Sequence, residues 1–146
     1  MNKYSEAHMK VAETYAQLSS AKRAKVGAIV VKDNRIISIG YNGTPSGWDN
    51  ECETEICWPN GEVKFRETKP EVLHAESNAI AKLARSSESS DNSEMFCTHM
   101  PCIDCAKLIL QCGIKKVYYK HDYNAAKGSG KWLLEKGNVQ LEQIGA

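Results

Sequence analysis

No apolar stretch in this 146-residue chain reaches the 18 or so residues needed to cross a bilayer, which excludes a membrane helix. Met1 to Lys10 is polar and has no apolar segment of the kind that directs secretion. An excess of charge is missing too: 19 Lys and Arg against 18 Asp and Glu leave a net charge of +1, with no basic run. A protein whose main partner is a nucleic acid polymer needs a cationic surface, so that class is disfavoured. No internal repeat is visible. These absences describe a cytoplasmic protein, in which the six cysteines read as thiols and metal ligands rather than disulfides. At 42% hydrophobic residues, one domain spanning 1–146 with a real core is expected.

Against that background, His74-Ala75-Glu76 followed by Pro101-Cys102-Ile103-Asp104-Cys105 stands out. One imidazole and two thiolates supply three zinc ligands, and a catalytic zinc keeps its fourth position for water whereas a structural site fills all four with protein. Glu76 is then free to move protons as a general acid and base. Cys102 and Cys105 stand three apart and share one face of a helix, with Pro101 suited to the helix start. His74 and Glu76 would point about 200° apart in mid-helix, at roughly 100° per residue, so they serve one metal only where a helix begins. Either half alone is weak: a lone Cys-x-x-Cys fits a redox pair, a structural zinc half-site or chance.

Along the chain, Ser5 is expected to cap a helix running to about Leu18. Val26 to Val31 and Ile36 to Tyr41 read as an antiparallel hairpin, followed by a long irregular segment from Asn42 to Leu73. A helix then begins at His74, Ser86 to Ser93 reads as a solvated linker, and Met95 to Thr98 is a strand leading into a helix that stops at Gly113. Val117 to Tyr119 is a strand, Lys131 to Glu135 a helix and Val139 to Ile144 a final strand. Strand and helix alternate, which predicts a three-layer α/β/α sandwich around a mixed sheet of about five strands.

Val26-Gly27-Ala28, Gly40-Tyr41-Asn42-Gly43, His74 to Ile80, Pro101 to Lys107 and Cys112 to Val117 together resemble the deoxycytidylate deaminases of the zinc-dependent cytidine and deoxycytidylate deaminase superfamily. Ser77 departs from the Leu common in relatives. The resemblance implies a cytidine deaminase-like fold, one catalytic zinc, and hydrolysis of deoxycytidine monophosphate (dCMP) to deoxyuridine monophosphate (dUMP) and ammonia, which feeds thymidylate synthesis. It also implies that the backbone around Ala75 and Pro101 holds the pyrimidine edge and that Asn42 meets the sugar hydroxyl, against a plain turn role before Gly43. The substrate's phosphate needs donors, and Arg23 is the leading candidate, the alternative being a solvated basic turn. Tyr123 is a candidate to cover the base, or else a packing aromatic.

The 43–73 segment is too long for a routine connection. By resemblance it forms a triphosphate site, activated by dCTP and inhibited by dTTP, with Mg2+ accompanying the effector, within a hexamer. The candidate contacts there are Tyr41, Asn42, Gly43, Thr44, Pro45, Lys64, Arg66 and Lys69, with Asn78 and Arg85 as further interface residues. Cys52 and Cys57 lack the partners for a second zinc and are expected to pack as small hydrophobes, as are Cys97 and Cys112. His99, beside the active-site turn, is placed to line the pocket. The competing functions are a polynucleotide (tRNA) deaminase and a non-catalytic zinc module. Glu76 speaks against the module, and the near-neutral charge against the polynucleotide.

Overall fold

A computed structural model of the chain describes residues 3–123 and 128–145, so Met1 and Asn2 of the polar start lie outside the described residues. Its elements are α1 Lys3–Ala16, β1 Gly27–Lys32, β2 Arg35–Tyr41, β3 Glu53–Cys57, β4 Val63–Thr68, α2 Ala75–Leu83, β5 Glu94–His99, α3 Ile103–Gln111, β6 Lys116–His121, α4 Lys131–Lys136 and β7 Gln140–Gln143. No helix of the described residues is long and apolar enough to cross a membrane.

Five strands form one sheet in the order β2-β1-β5-β6-β7. β1 pairs antiparallel with β2 and β5, while β6 runs parallel to both β5 and β7, which is the expected mixed sheet. Asp33 and Asn34 close the first hairpin with φ of 52° and 62°. Two left-handed residues match the twist of the flanking strands, and Asn and Asp tolerate that region best among side-chain-bearing residues.

Strand alternation builds the layers. Ala28, Val30, Met95, Cys97 and Val117 pack with Ala75, Ala79, Leu83, Ala106, Ile109 and Leu134, so α2, α3 and α4 cover one face. The intervening Ile29, Val31, Phe96 and Tyr118 pack with Met9 and Ala12 of α1 on the other. Successive side chains in a strand point to opposite faces, so two covered faces explain why β1 and β5 are buried at nearly every position.

Three sequence expectations change. Ser5 is buried inside α1 rather than capping it, and Leu18 lies beyond the helix, which ends at Ala16. The 43–73 segment is not irregular throughout: β3 and β4 form a separate antiparallel hairpin. Its turn contains Asn60-Gly61, with Gly61 at φ 90°. That dipeptide between two strand-forming runs is a hairpin signature. Every residue of β4 is exposed, and so is Cys57, which therefore does not pack as a small hydrophobe, whereas Cys52 and Cys97 do.

Candidate active site

Close packing of α2 on β2 fixes one side of the site. Gly40 makes it possible: a Cβ there would run into the Ala75 carbonyl oxygen and lie 2.7 Å from the Ala79 nitrogen. Three side chains then stitch the pair together. Ser38 Oγ donates to Ala79 O at 2.6 Å, Asn78 Nδ2 to Tyr41 O at 2.9 Å, and Lys82 Nζ to Ile39 O at 2.7 Å. Asn78, expected at an interface, thus holds a helix to its strand. Ser77 Oγ donates to His74 O at 3.0 Å, giving the departure from Leu a role in the same first turn.

Two helices begin at the site, and the residue that caps each one is a candidate ligand. His74 is the N-cap of α2, with extended backbone, and Cys102 is the N-cap of α3. The helix start is what lets His74 and Glu76 face one point, as their spacing requires. Across the gap, His74 Nδ1 lies 3.3 Å from Cys105 Sγ and 3.5 Å from Cys102 Sγ. The three donor atoms lie within 4.8 Å of one another. A tetrahedral zinc with bonds of about 2.0–2.1 Å to nitrogen and about 2.3 Å to sulfur holds N and S about 3.6 Å apart, so the chain's own geometry fits the ion.

Electrostatics favour the same arrangement. A hydrogen bond from Cys105 holds the Cys102 thiol down to about 4, against the effect of its burial. The shared proton, together with burial, pushes Cys105 up. Both residues are nearly inaccessible, and a metal must displace that proton to take both as thiolates. Glu76 is 4% exposed. Burial pushes its carboxyl up to about 7, opposed by its own backbone N–H and by His74. A carboxyl poised near neutrality both accepts and gives a proton readily, which suits general acid/base work.

His74, Glu76 and Cys102 line a cavity of about 510 Å³. Arg23, Asn42, Ala75, His99 and Tyr123, all expected at the site, line it as well. Pro101 is buried beside it, and its carbonyl accepts from Gly130 N–H at 2.9 Å. Lys69, assigned from sequence to the effector site, also faces this cavity, as do Glu53 and Thr68 at the base of the β3–β4 hairpin. Sequence reasoning missed Glu53 and Thr68, because nothing in their spacing places a strand end against residues 20–25.

Asn42 is engaged with backbone. Its Oδ1 accepts from Val26 N–H at 2.9 Å and its Nδ2 donates to Ala24 O at 2.8 Å. An amide has a further donor and lone pair, so this bracing leaves it able to meet a ligand.

The other effector candidates are spread out. Gly43 pairs with Leu73, closing the base of the long segment, and Thr44 Oγ1 donates to Asp49 O at 2.6 Å. On the hairpin, Lys64 lies over Trp58 at 4.6 Å and Arg66 pairs with Glu55 at 3.2 Å. Arg85 is exposed just past α2. A second cavity of about 380 Å³ joins Lys22, Arg66 and Lys69 with Glu51, Glu53 and Glu55.

Three clustered candidate metal ligands with a buried carboxylate beside them, at a cavity in an α/β/α sandwich, fit a hydrolytic zinc site. The chain belongs to the cytidine and deoxycytidylate deaminase family, matching its zinc-binding region over residues 2–121. Among solved structures, dCMP deaminase from the cyanophage S-TIM5, in complex with dCMP and dUMP, is 49% identical, covers 99% of both chains and superposes with a TM-score of 0.84. Deoxycytidylate deaminase of enterobacteria phage T4 is 32% identical over 168 residues, covering 93% of this chain and 87% of its own. ComE operon protein 2 of Bacillus subtilis (strain 168) is 37% identical over 126 residues, and the match spans 86% of this chain but 63% of that protein's length.

Proposed function

We propose that the chain hydrolyses dCMP to dUMP and ammonia. The observation that carries this is that His74, Cys102 and Glu76 line the same cavity as Arg23, with Cys105 completing the three-donor cluster behind them. Similarity along nearly the whole chain to a deaminase solved with dCMP and dUMP supports the same reading. Zinc held by His74, Cys102 and Cys105 supplies the Lewis acidity that makes water a nucleophile near neutral pH. Glu76 takes a proton from the attacking water and gives it to the pyrimidine ring nitrogen, then takes the remaining proton of the added hydroxyl and gives it to the departing amine, so that ammonia leaves as the C4 carbonyl forms. Burial serves this relay by disfavouring the charged carboxylate, so that Glu76 takes up the proton it must pass on. The backbone at Ala75 and Pro101 holds the pyrimidine edge, Asn42 meets the sugar, Tyr123 covers the base and Arg23 pairs with the phosphate.

By the same family reasoning, the 43–73 segment with Tyr41 to Pro45 carries the response to dCTP and dTTP, with Mg2+ on the triphosphate, in a hexamer. Lys69 is better matched to the substrate's phosphate, because it lines the cavity with Arg23.

The test is ammonia release from dCMP, beside deoxycytidine, cytidine monophosphate and tRNA, with and without dTTP. Selective turnover of dCMP, suppressed by dTTP, is the expected result. Turnover of tRNA alone would overturn the substrate. A Glu76→Gln variant that keeps its zinc but loses about 10²–10⁴-fold in kcat separates a catalytic from a structural metal.

A further inference from the structure

The carboxylate of Glu53 faces the cavity, yet its bonds run away from the chemistry. Its Oε2 accepts from Lys22 N–H at 2.8 Å and from Arg23 N–H at 3.2 Å. Directly opposite Glu53 in the β3–β4 register stands Thr68. Thr68 Oγ1 accepts from Arg23 Nη1 at 3.2 Å. One cross-strand pair therefore grips both the backbone and the guanidinium of a single arginine.

The grip needs a fixed base, and the hairpin has one. Lys69 N–H donates to Cys52 O at 2.8 Å just beyond that pair, and Cys52 is buried, with Ser20 Oγ 3.5 Å from its sulfur. Residues 20–25 belong to no helix or strand, and their path is held by these bonds, by the Asn42 bonds to Ala24 and Val26, and by the buried Ala21, whose N–H donates to Ser19 Oγ at 3.1 Å. Left alone, an exposed arginine samples many rotamers, and each must be given up when it binds a phosphate. Holding it beforehand reduces that loss. Thr68 uses one of the five N–H donors of the guanidinium and leaves the others for a ligand.

We propose that Glu53 and Thr68 are positioning residues that preset Arg23 for the substrate's monophosphate, so that the base of the β3–β4 hairpin sets the preference for nucleotide over nucleoside. The inference rests on the proposed dCMP reaction and on Arg23 as the phosphate ligand. A carboxylate close to a bound phosphate is adverse on charge alone. Its two N–H bonds give a reason for its presence.

The experiment uses the full, zinc-loaded chain and measures KM and kcat for dCMP, with deoxycytidine, which lacks the phosphate, as a competitive inhibitor. Glu53→Ala is expected to raise KM for dCMP about tenfold while leaving kcat and the deoxycytidine inhibition constant unchanged. Thr68→Val should raise KM about threefold, and Glu53→Gln, which keeps one acceptor oxygen, should fall between wild type and Glu53→Ala. A double variant, Glu53→Ala with Arg23→Ala, should be no worse than Arg23→Ala alone, since both act through one side chain. Equal weakening of dCMP and deoxycytidine, full additivity in the double variant, or a lower KM in Glu53→Gln would overturn the proposal. Should Glu53→Ala fail to fold, Thr68→Val on the exposed strand decides it by the same KM ratio. Absence of dCMP turnover in the wild type, or an unchanged KM in Arg23→Ala, would instead sink the underlying reading.

Discussion

Replacing Gly40 with Ala tests whether the α2–β2 contact sets the active-site geometry. The added Cβ would lie 2.7 Å from the Ala79 nitrogen and closer still to the Ala75 carbonyl oxygen. Ordinary contact begins near 3.4 Å, so α2 must retreat by about 0.7 Å or more. α2 carries His74 and Glu76, but Cys102 and Cys105 ride on α3. Retreat therefore widens the 3.3 Å and 3.5 Å gaps between His74 Nδ1 and the two sulfurs and draws Glu76 away from the substrate. Overpacking of this kind costs about 1–3 kcal/mol of stability, and a misplacement near 1 Å lowers turnover by up to about a hundredfold. Gly27→Ala is the matched comparison. Its Cβ would run into Ala12 and lie 2.9 Å from the Ala16 nitrogen, on the α1 side of the sheet. Both variants should lose a similar amount in thermal unfolding, about 3–10 °C. Only Gly40→Ala should lose zinc affinity and kcat per folded molecule. Equal kcat in the two, or a Gly40→Ala enzyme with wild-type zinc content and kcat, would refute the reasoning.

Other consequences can be checked separately. Asn42→Asp keeps an acceptor for Val26 N–H but sets a carboxylate oxygen against Ala24 O, and should destabilise the chain by about 1–3 kcal/mol in urea unfolding. His99 is pushed below the usual imidazole range by burial, then by the charge of His121, whose ring centre is 4.9 Å away. A lowered folded-state value means that the unfolded chain binds the proton more tightly. This contribution to stability is therefore complete above about pH 6.5 and is lost as pH falls through 6.5 toward the folded value. His121→Asn should move the His99 titration upward in a two-dimensional NMR experiment. Chelation of zinc should abolish ammonia release and lower the unfolding temperature, with both restored by added Zn2+.

Much of the site was legible because metal chemistry constrains residue type and spacing together. His74 was expected where a helix begins and proves to be the N-cap of α2, whereas Pro101, expected at a helix's first position, stands one residue before Cys102, the N-cap of α3. The stop at Gly113 was legible for an equally local reason: it takes φ 83° just past the end of α3. The β3–β4 hairpin was missed despite Asn60-Gly61, because its strands bury little and so lack the alternating apolar pattern that marks a sheet member. The contact between Glu53 and Arg23 joins residues 30 apart across two loops, and no periodicity encodes such a meeting. Ser5 misled as a cap because a buried hydroxyl on a small side chain also fits within a helix packed on the sheet.

The β3–β4 hairpin contributes no residue to either core cluster. Substitutions along its outer length should therefore be nearly neutral for folding, while its base, where Cys52, Glu53, Thr68 and Lys69 meet the loop carrying Arg23, tolerates little. The fold thus carries an evolvable outer strand pair on a constrained root: lineages can rewrite what Trp58, Lys64 and Phe65 present to solvent without disturbing the catalytic centre.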